Sequence, residues 1–74
     1  MSSDHTLILK LAESNNGIIS KKLIQDELKW DLFRIENIIN FMLKDGIIWI
    51  DVYTSGGIVK HSYYFPSLFS AVYL

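Results

Sequence analysis

LKDGIIWIDVYTSGGIVKHSYYFPSLF, residues 43–69, is the stretch of sequence that decides the fold. Two runs rich in β-branched and aromatic residues, 47–53 and 58–65, flank the turn-forming segment 54–57, so the sequence predicts a β-hairpin. Pro66 has no backbone N–H to donate to a strand ladder and is expected to end the second strand. A turn centred on 54–57 predicts a register in which Tyr53 pairs with Ile58 and Asp51 with Lys60.

The predicted hairpin has one aliphatic face and one mixed face, because successive side chains of a strand point to opposite sides. The aliphatic face, expected in the core, comprises Ile48, Ile50 and Val52. The mixed face, expected in solvent, comprises Trp49, Asp51 and Tyr53 of the first strand and Ile58, Lys60, Ser62 and Tyr64 of the second. Outward aromatic side chains are typical of protein interfaces, but they also stabilise hairpins, so both interpretations stay open here.

Length and composition indicate one small domain. The chain has 74 residues, of which 50% are hydrophobic and 14% aromatic. We expect a single domain over 1–74, with its core at about 4–69 and a tail at 70–74. A chain of this length buries only ~60% of its unfolded surface, so part of its apolar surface is expected to be covered by another protein.

Charge and residue usage exclude several classes of protein. The formal net charge of −1 gives no general attraction to nucleic acid or to anionic lipid. The absence of cysteine excludes disulfides and thiolate metal ligands. The apolar runs are shorter than the ~20 residues that span a bilayer, and the first five residues do not resemble a signal peptide. A soluble protein of the cytosol or nucleus, or a fragment of one, is expected.

Three helices are predicted before the hairpin. The first runs over 4–13 with Asp4 as its cap, the second over 21–29 with Ser20 as its cap, and the third from Asp31 as cap to 45, with a short strand at 18–19. The expected core residues are Leu7, Ile8, Leu11 and Ala12 of the first helix and Leu32, Ile35, Ile38, Ile39, Met42 and Leu43 of the third. The element order predicts an α+β winged helix, consisting of three helices, a short first strand and a β-hairpin wing.

Winged helices often read DNA with the third helix, but this chain has few groups for that task. Arg34 and Lys44 are the cations of the predicted third helix, and the turn of the wing has none. Signs of catalysis are weaker still, because His5 and His61 have no carboxylates at ligand spacing and no serine lies in a nucleophile elbow. The sequence therefore predicts a non-enzyme with no catalytic residue, metal or cofactor, and a DNA-binding, transcription-type domain stays as the alternative.

Four short strings carry a family resemblance: LKW at 28–30, LKDG at 43–46, WID at 49–51 and YFPSLF at 64–69. In this order they resemble the C-terminal winged-helix domain of the EAP30-type vacuolar-sorting subunit of the ESCRT-II complex, over about 7–69. The resemblance implies a cytoplasmic adaptor, recruited peripherally to endosomal membranes, that helps to sort ubiquitinated cargo into multivesicular bodies. Family subunits are much longer, so the chain is interpreted as a fragment or a stand-alone relative.

The resemblance also implies a partner and a site. In the family this domain binds the small winged-helix subunit, whose proline-and-aromatic motif enters an apolar pocket while an arginine meets a carboxylate on the wing. The Trp-x-Asp motif matches here, so the acidic role is assigned to Asp51. The expected partner-binding residues are Trp49, Asp51, Tyr53, Tyr64, Phe65 and Phe69. Membrane contact is expected to be indirect, no nucleic acid is expected, and a homodimer through the same aromatic face is a third interpretation.

Overall fold

A computed structural model of the chain describes residues 3–69. Its helices are α1 (Ser3–Glu13), α2 (Lys21–Leu28) and α3 (Leu32–Lys44), its strands are β1 (Ile18–Ile19), β2 (Trp49–Ser55) and β3 (Ile58–Tyr64), and a 3-10 helix spans Pro66–Leu68. The strands form one antiparallel sheet in the order β1-β3-β2. The predicted α+β winged helix is confirmed. The expected tail at 70–74 lies outside the described residues.

Side chains cap two helices where the sequence predicts them. The Ser20 hydroxyl accepts the backbone N–H of Leu23 at 3.1 Å, and a carboxylate oxygen of Asp31 accepts the backbone N–H of Arg34 at 2.9 Å. The predicted cap at Asp4 is wrong. Asp4 lies inside α1, and its carboxylate accepts hydrogen bonds from the side chain of Arg34 instead.

The core lies between the three helices and the base of the sheet. Among the described residues, the fully buried side chains are Ile8, Ile19, Ile24, Ile35, Ile39, Met42, Ile48 and Phe65, with Ala12, Trp30 and Tyr63 also buried. Fewer residues of α3 are buried than the sequence predicts. Ile38 and Leu43 are only half-buried, and Leu32 is 50% exposed. Leu7 of α1, also expected in the core, is exposed.

The hairpin register differs from the predicted one by two residues. Gly56 and Gly57 both have positive φ, 60° and 79°, the pattern of a two-residue type I′ turn. Because the turn needs only these two residues, β2 continues to Ser55, Asp51 pairs with Ser62, and Tyr53 pairs with Lys60. A shift of two residues leaves every side chain on its predicted face, so Trp49 and Asp51 still point away from the core.

The aliphatic face of β2 is buried only at its base. Ile48, just before the strand, is 0% exposed, whereas Ile50 is 45% and Val52 55% exposed. The prediction that all three lie in the core is therefore wrong for the last two. The hairpin extends beyond the core, and its distal half, residues 52–61, is exposed.

Gly17 holds the connection between α1 and β1 against the C-terminal turn. Its φ is +83°, and a Cβ added there would lie 2.8 Å from Cε2 of Phe69. We expect Gly17→Ala to lower the stability of the fold by about 1–3 kcal/mol, because an L residue is strained at this φ and the ring of Phe69 must move.

Thermal denaturation of Gly17→Ala and of Gly56→Ala checks this prediction. Gly56 also has a positive φ, but an added Cβ there meets nothing within 4 Å, so this control carries the backbone strain without the contact. Gly17→Ala should melt at the lower temperature. Equal melting temperatures would contradict a role for the Phe69 contact.

Candidate functional site

Three aromatic rings form a row on the outward face of the wing. The Trp49 and Tyr64 centroids are 6.0 Å apart with the ring planes at 68°, and the Tyr64 and Phe69 centroids are 6.0 Å apart at 83°. The sheet places the first two rings side by side because Trp49 is opposite Tyr64 in the register. The turn after Pro66 brings Phe69 to the same side. We call Trp49, Tyr64 and Phe69 the aromatic row; Trp49 is 54% exposed.

Asp51 lies beside the aromatic row on the same face. It is exposed, it is opposite Ser62, and it makes no ion pair within the described residues. The predicted cross-strand pair with Lys60 is wrong, since Lys60 is opposite Tyr53. The carboxylate of Asp51 therefore has no cationic partner within 3–69, and it lies next to the exposed ring of Trp49.

Phe65 does not belong to this surface. It is 1% exposed and lies in the core with Tyr63, because alternate residues of the strand share a face. Its predicted place in the partner pocket is wrong. The tripeptide Tyr-Tyr-Phe at 63–65 is aromatic throughout, and the alternation that points Tyr64 outward, as predicted, turns Tyr63 and Phe65 toward the core. The remaining five residues, for which partner binding stays a prediction, are called the docking face: Trp49, Asp51, Tyr53, Tyr64 and Phe69.

Curated proteins include clear relatives of this sequence. The vacuolar-sorting protein SNF8 of Dictyostelium discoideum is 44% identical over 70 residues, which is 95% of this chain. Those of Xenopus tropicalis and Homo sapiens are each 34% identical over 73 residues, or 99% of the chain. The chain is a homologue of the SNF8 vacuolar-sorting proteins. The resemblance noted in the sequence is thereby confirmed.

The SNF8 relatives are much longer than this chain. The chain spans 27% of the length of each of these three relatives and matches their C-terminal part. No protein-family model and no solved structure matches it. Because the SNF8-like sequence covers nearly the whole chain, the docking face lies within the matched region.

The exposed side of α3 is the second notable surface of this SNF8-like chain. Phe33 is 77% and Phe41 54% exposed. Between them, Arg34 donates two hydrogen bonds to the Asp4 carboxylate, at 3.2 and 2.7 Å, and its guanidinium carbon lies 4.0 Å from the centre of the Trp30 ring. Sequence reasoning missed this contact because 30 residues separate the two charges.

The contact changes the titration of both charged groups. The hydrogen bond from Arg34, helped by charge attraction, lowers the pKa of Asp4, and the same bond raises the pKa of the arginine. Asp4 therefore remains ionised to lower pH in the fold than in the unfolded chain. Any stability from this pair is present above the ordinary aspartate pKa and is lost as the pH falls through the lowered value.

The remaining chemistry of the described part of the chain is sparse. Residues 3–69 contain no group of three or more His, Asp or Glu side chains placed to hold a metal ion. Within the same residues, none of the helices has the length and apolar character needed to cross a membrane.

Binding to duplex DNA is expected to be no better than non-specific. Arg34 is held by Asp4 and Trp30, and the chain carries a net charge of −1. We therefore expect a dissociation constant of roughly 10⁻⁴ M or weaker at physiological salt. Fluorescence anisotropy with labelled duplexes of different sequence measures this value. Micromolar binding that depends on DNA sequence would instead support the transcription-type alternative.

Proposed function

We propose that this chain is a non-catalytic adaptor module of an ESCRT-II-like endosomal sorting complex. Its docking face binds the small winged-helix subunit, and the complex sorts ubiquitinated membrane cargo into multivesicular bodies. The adaptor works in the cytoplasm and reaches endosomal membranes through the complex. The observation that carries the proposal is the aromatic row, exposed at Trp49, beside the carboxylate of Asp51, which has no ion pair within residues 3–69.

The aromatic row supports binding of an apolar motif. Trp49 packs edge-on against Tyr64, and Tyr64 against Phe69, so the rings are ordered before a partner arrives. Ordered aromatic side chains lose little conformational entropy on binding and offer large apolar areas with polar tips. Such a surface suits the proline and aromatic side chains of the proposed partner motif, whose rings are themselves rigid.

Asp51 supplies selectivity for a basic side chain. Its carboxylate lies two residues along β2 from Trp49, on the same face. A partner arginine that meets this carboxylate as the apolar contact closes would lose water together with it, and a charge pair of this kind favours one partner over others. We therefore assign apolar affinity to the aromatic row and charge selection to Asp51.

The test is calorimetric titration of the purified small subunit into this chain. Trp49→Ser removes the most exposed ring of the aromatic row. Aromatic residues at the centre of a protein interface often contribute about 2 kcal/mol or more to binding, which is roughly 30-fold in affinity. Phe33→Ser on α3 is the matched control, because Phe33 is also a highly exposed aromatic residue.

We expect Trp49→Ser to bind at least tenfold more weakly and Phe33→Ser to bind like the unmodified chain. The opposite order would move the interface to α3. Size-exclusion chromatography of the chain alone tests the homodimer interpretation: a stable dimer that Trp49→Ser dissociates would assign the aromatic row to self-association.

A further inference from the structure

A cavity of about 470 Å³ lies between the start of α2 and β3. β1 pairs with β3 only at Tyr63 and Tyr64, so the edge of β3 from Ile58 to Ser62 has no second neighbour within the described sheet. The cavity lies beside this open edge. It is lined by Ser20, Lys21, Lys22, Tyr53, Val59, Lys60, His61 and Tyr63.

Basic side chains are concentrated in the wall of this cavity. Three of the chain's seven Lys and Arg residues and one of its two His residues line it, and no carboxylate does, although the whole chain is slightly acidic. Lys21 lies 4.0 Å from Glu36, and Lys22 pairs with Asp26 at 3.2 Å, both on exposed helical surface. Lys60 makes no ion pair with any residue in 3–69. The wall of the cavity therefore carries basic side chains from two separate elements, of which Lys60 has no carboxylate partner within 3–69.

Tyr63 adds a hydrogen-bond donor that has no partner in the described structure. Its side chain is only 4% exposed and lines the cavity. The Tyr63 hydroxyl takes part in none of the hydrogen bonds among residues 3–69. Every polar side-chain atom that is fully enclosed in this part of the chain does have a hydrogen-bond partner, so the Tyr63 hydroxyl is not fully enclosed. The hydroxyl must therefore reach accessible space, and the cavity is the space that Tyr63 borders. A phenol that lines a basic cavity and has an accessible, unpartnered hydroxyl is a donor available to an anion.

We propose that this cavity binds a phosphate-bearing anion. Lysine ammonium groups bind phosphate as point charges, and the Tyr63 hydroxyl supplies a directed hydrogen bond to a phosphate oxygen. The volume lies within the ordinary range for small-molecule sites and has room for a phosphorylated ring such as an inositol phosphate. A soluble phosphate ester and a lipid headgroup share this chemistry. The site adjoins the proposed docking face, with which it shares Tyr53.

The test follows amide resonances of the ¹⁵N-labelled chain during titration with inorganic phosphate and with soluble inositol trisphosphate. We expect shifts at Lys21, Lys60 and Tyr63 with either ligand. The variants Lys60→Gln and Tyr63→Phe should each weaken inositol trisphosphate binding about tenfold, since a hydrogen bond to a charged group is lost in each. Tyr63→Phe retains the buried ring, so its circular dichroism and melting should match the unmodified chain.

Lys44→Gln is the control, because it removes one exposed positive charge at the end of α3, outside the cavity. Equal weakening by Lys44→Gln and Lys60→Gln would overturn the proposal, as would the absence of shifts around the cavity at millimolar ligand. Co-sedimentation with phosphatidylcholine vesicles, with and without a phosphoinositide, distinguishes the sources. If the chain binds the phosphoinositide vesicles and Lys60→Gln abolishes this binding, the natural ligand is a lipid headgroup. If the chain binds inositol trisphosphate but not the vesicles, the natural ligand is a soluble anion.

Discussion

Reversing the charge of Asp51 is expected to weaken binding of the small subunit by tenfold or more. In the proposed complex the Asp51 carboxylate meets a partner arginine next to the aromatic row, where water is excluded. Disrupting one member of such a pair typically costs ~2–5 kcal/mol, because the other charge is left unpaired away from water. Each ~1.4 kcal/mol is a tenfold change in affinity. Asp51→Lys should therefore have a large effect on binding, measured by calorimetric titration.

The fold should tolerate the same substitution. Asp51 is exposed and opposite Ser62, and it makes no ion pair within residues 3–69, so the expected change in stability is within about 0.5 kcal/mol. Glu27→Lys on α2 is the matched control, since it makes the same change of charge at another exposed position. Reversal of the partner arginine to aspartate should restore part of the affinity lost in Asp51→Lys. Equal affinities for Asp51→Lys and Glu27→Lys would show that the carboxylate has no role in docking.

Truncation of Ile39 is expected to remove a large share of the stability of the protein. Ile39 is 0% exposed in the middle of α3, and Ile→Ala at a buried site costs about 2–5 kcal/mol through lost apolar contact and the cavity left behind. The total stability of a native domain is only about 5–15 kcal/mol, and a chain of 74 residues is expected near the low end. Ile39→Ala should therefore lower the melting temperature by at least about 10 °C.

Two other positions of α3 serve as comparisons for Ile39→Ala. Asn40→Ala changes the exposed neighbour and should leave the melting temperature nearly unchanged. Leu43→Ala should fall between the two, because Leu43 is only half-buried. Circular dichroism during heating gives all three values. A larger decrease in melting temperature for Leu43→Ala than for Ile39→Ala would mean that α3 is rotated about its axis relative to the structure described above.

Local chemistry explains why much of the architecture is predictable from the sequence. The caps at Ser20 and Asp31 depend on hydrogen bonds between residues three apart, and the hairpin depends on a glycine pair between two β-rich runs. Each feature is complete within a few residues. The face of the hairpin that bears Trp49 and Asp51 is predictable for the same reason, because side-chain alternation along a strand survives a register error of two residues.

Contacts between distant parts of the chain explain what sequence reasoning did not find. The ion pair of Asp4 with Arg34 and the packing of Phe69 against Gly17 join residues that no local pattern connects. The pairing of β3 with both neighbouring strands places Tyr63 and Phe65 on the core side of the sheet, opposite to Tyr64, and so removed Phe65 from the docking face. The sequence by itself determined the elements, their order and the two faces of the wing, since those depend on local propensity and periodicity. Only the tertiary structure decided the strand register, the unpaired state of Asp51 within the described residues and the basic cavity beside β3, because each depends on how separate elements pack together.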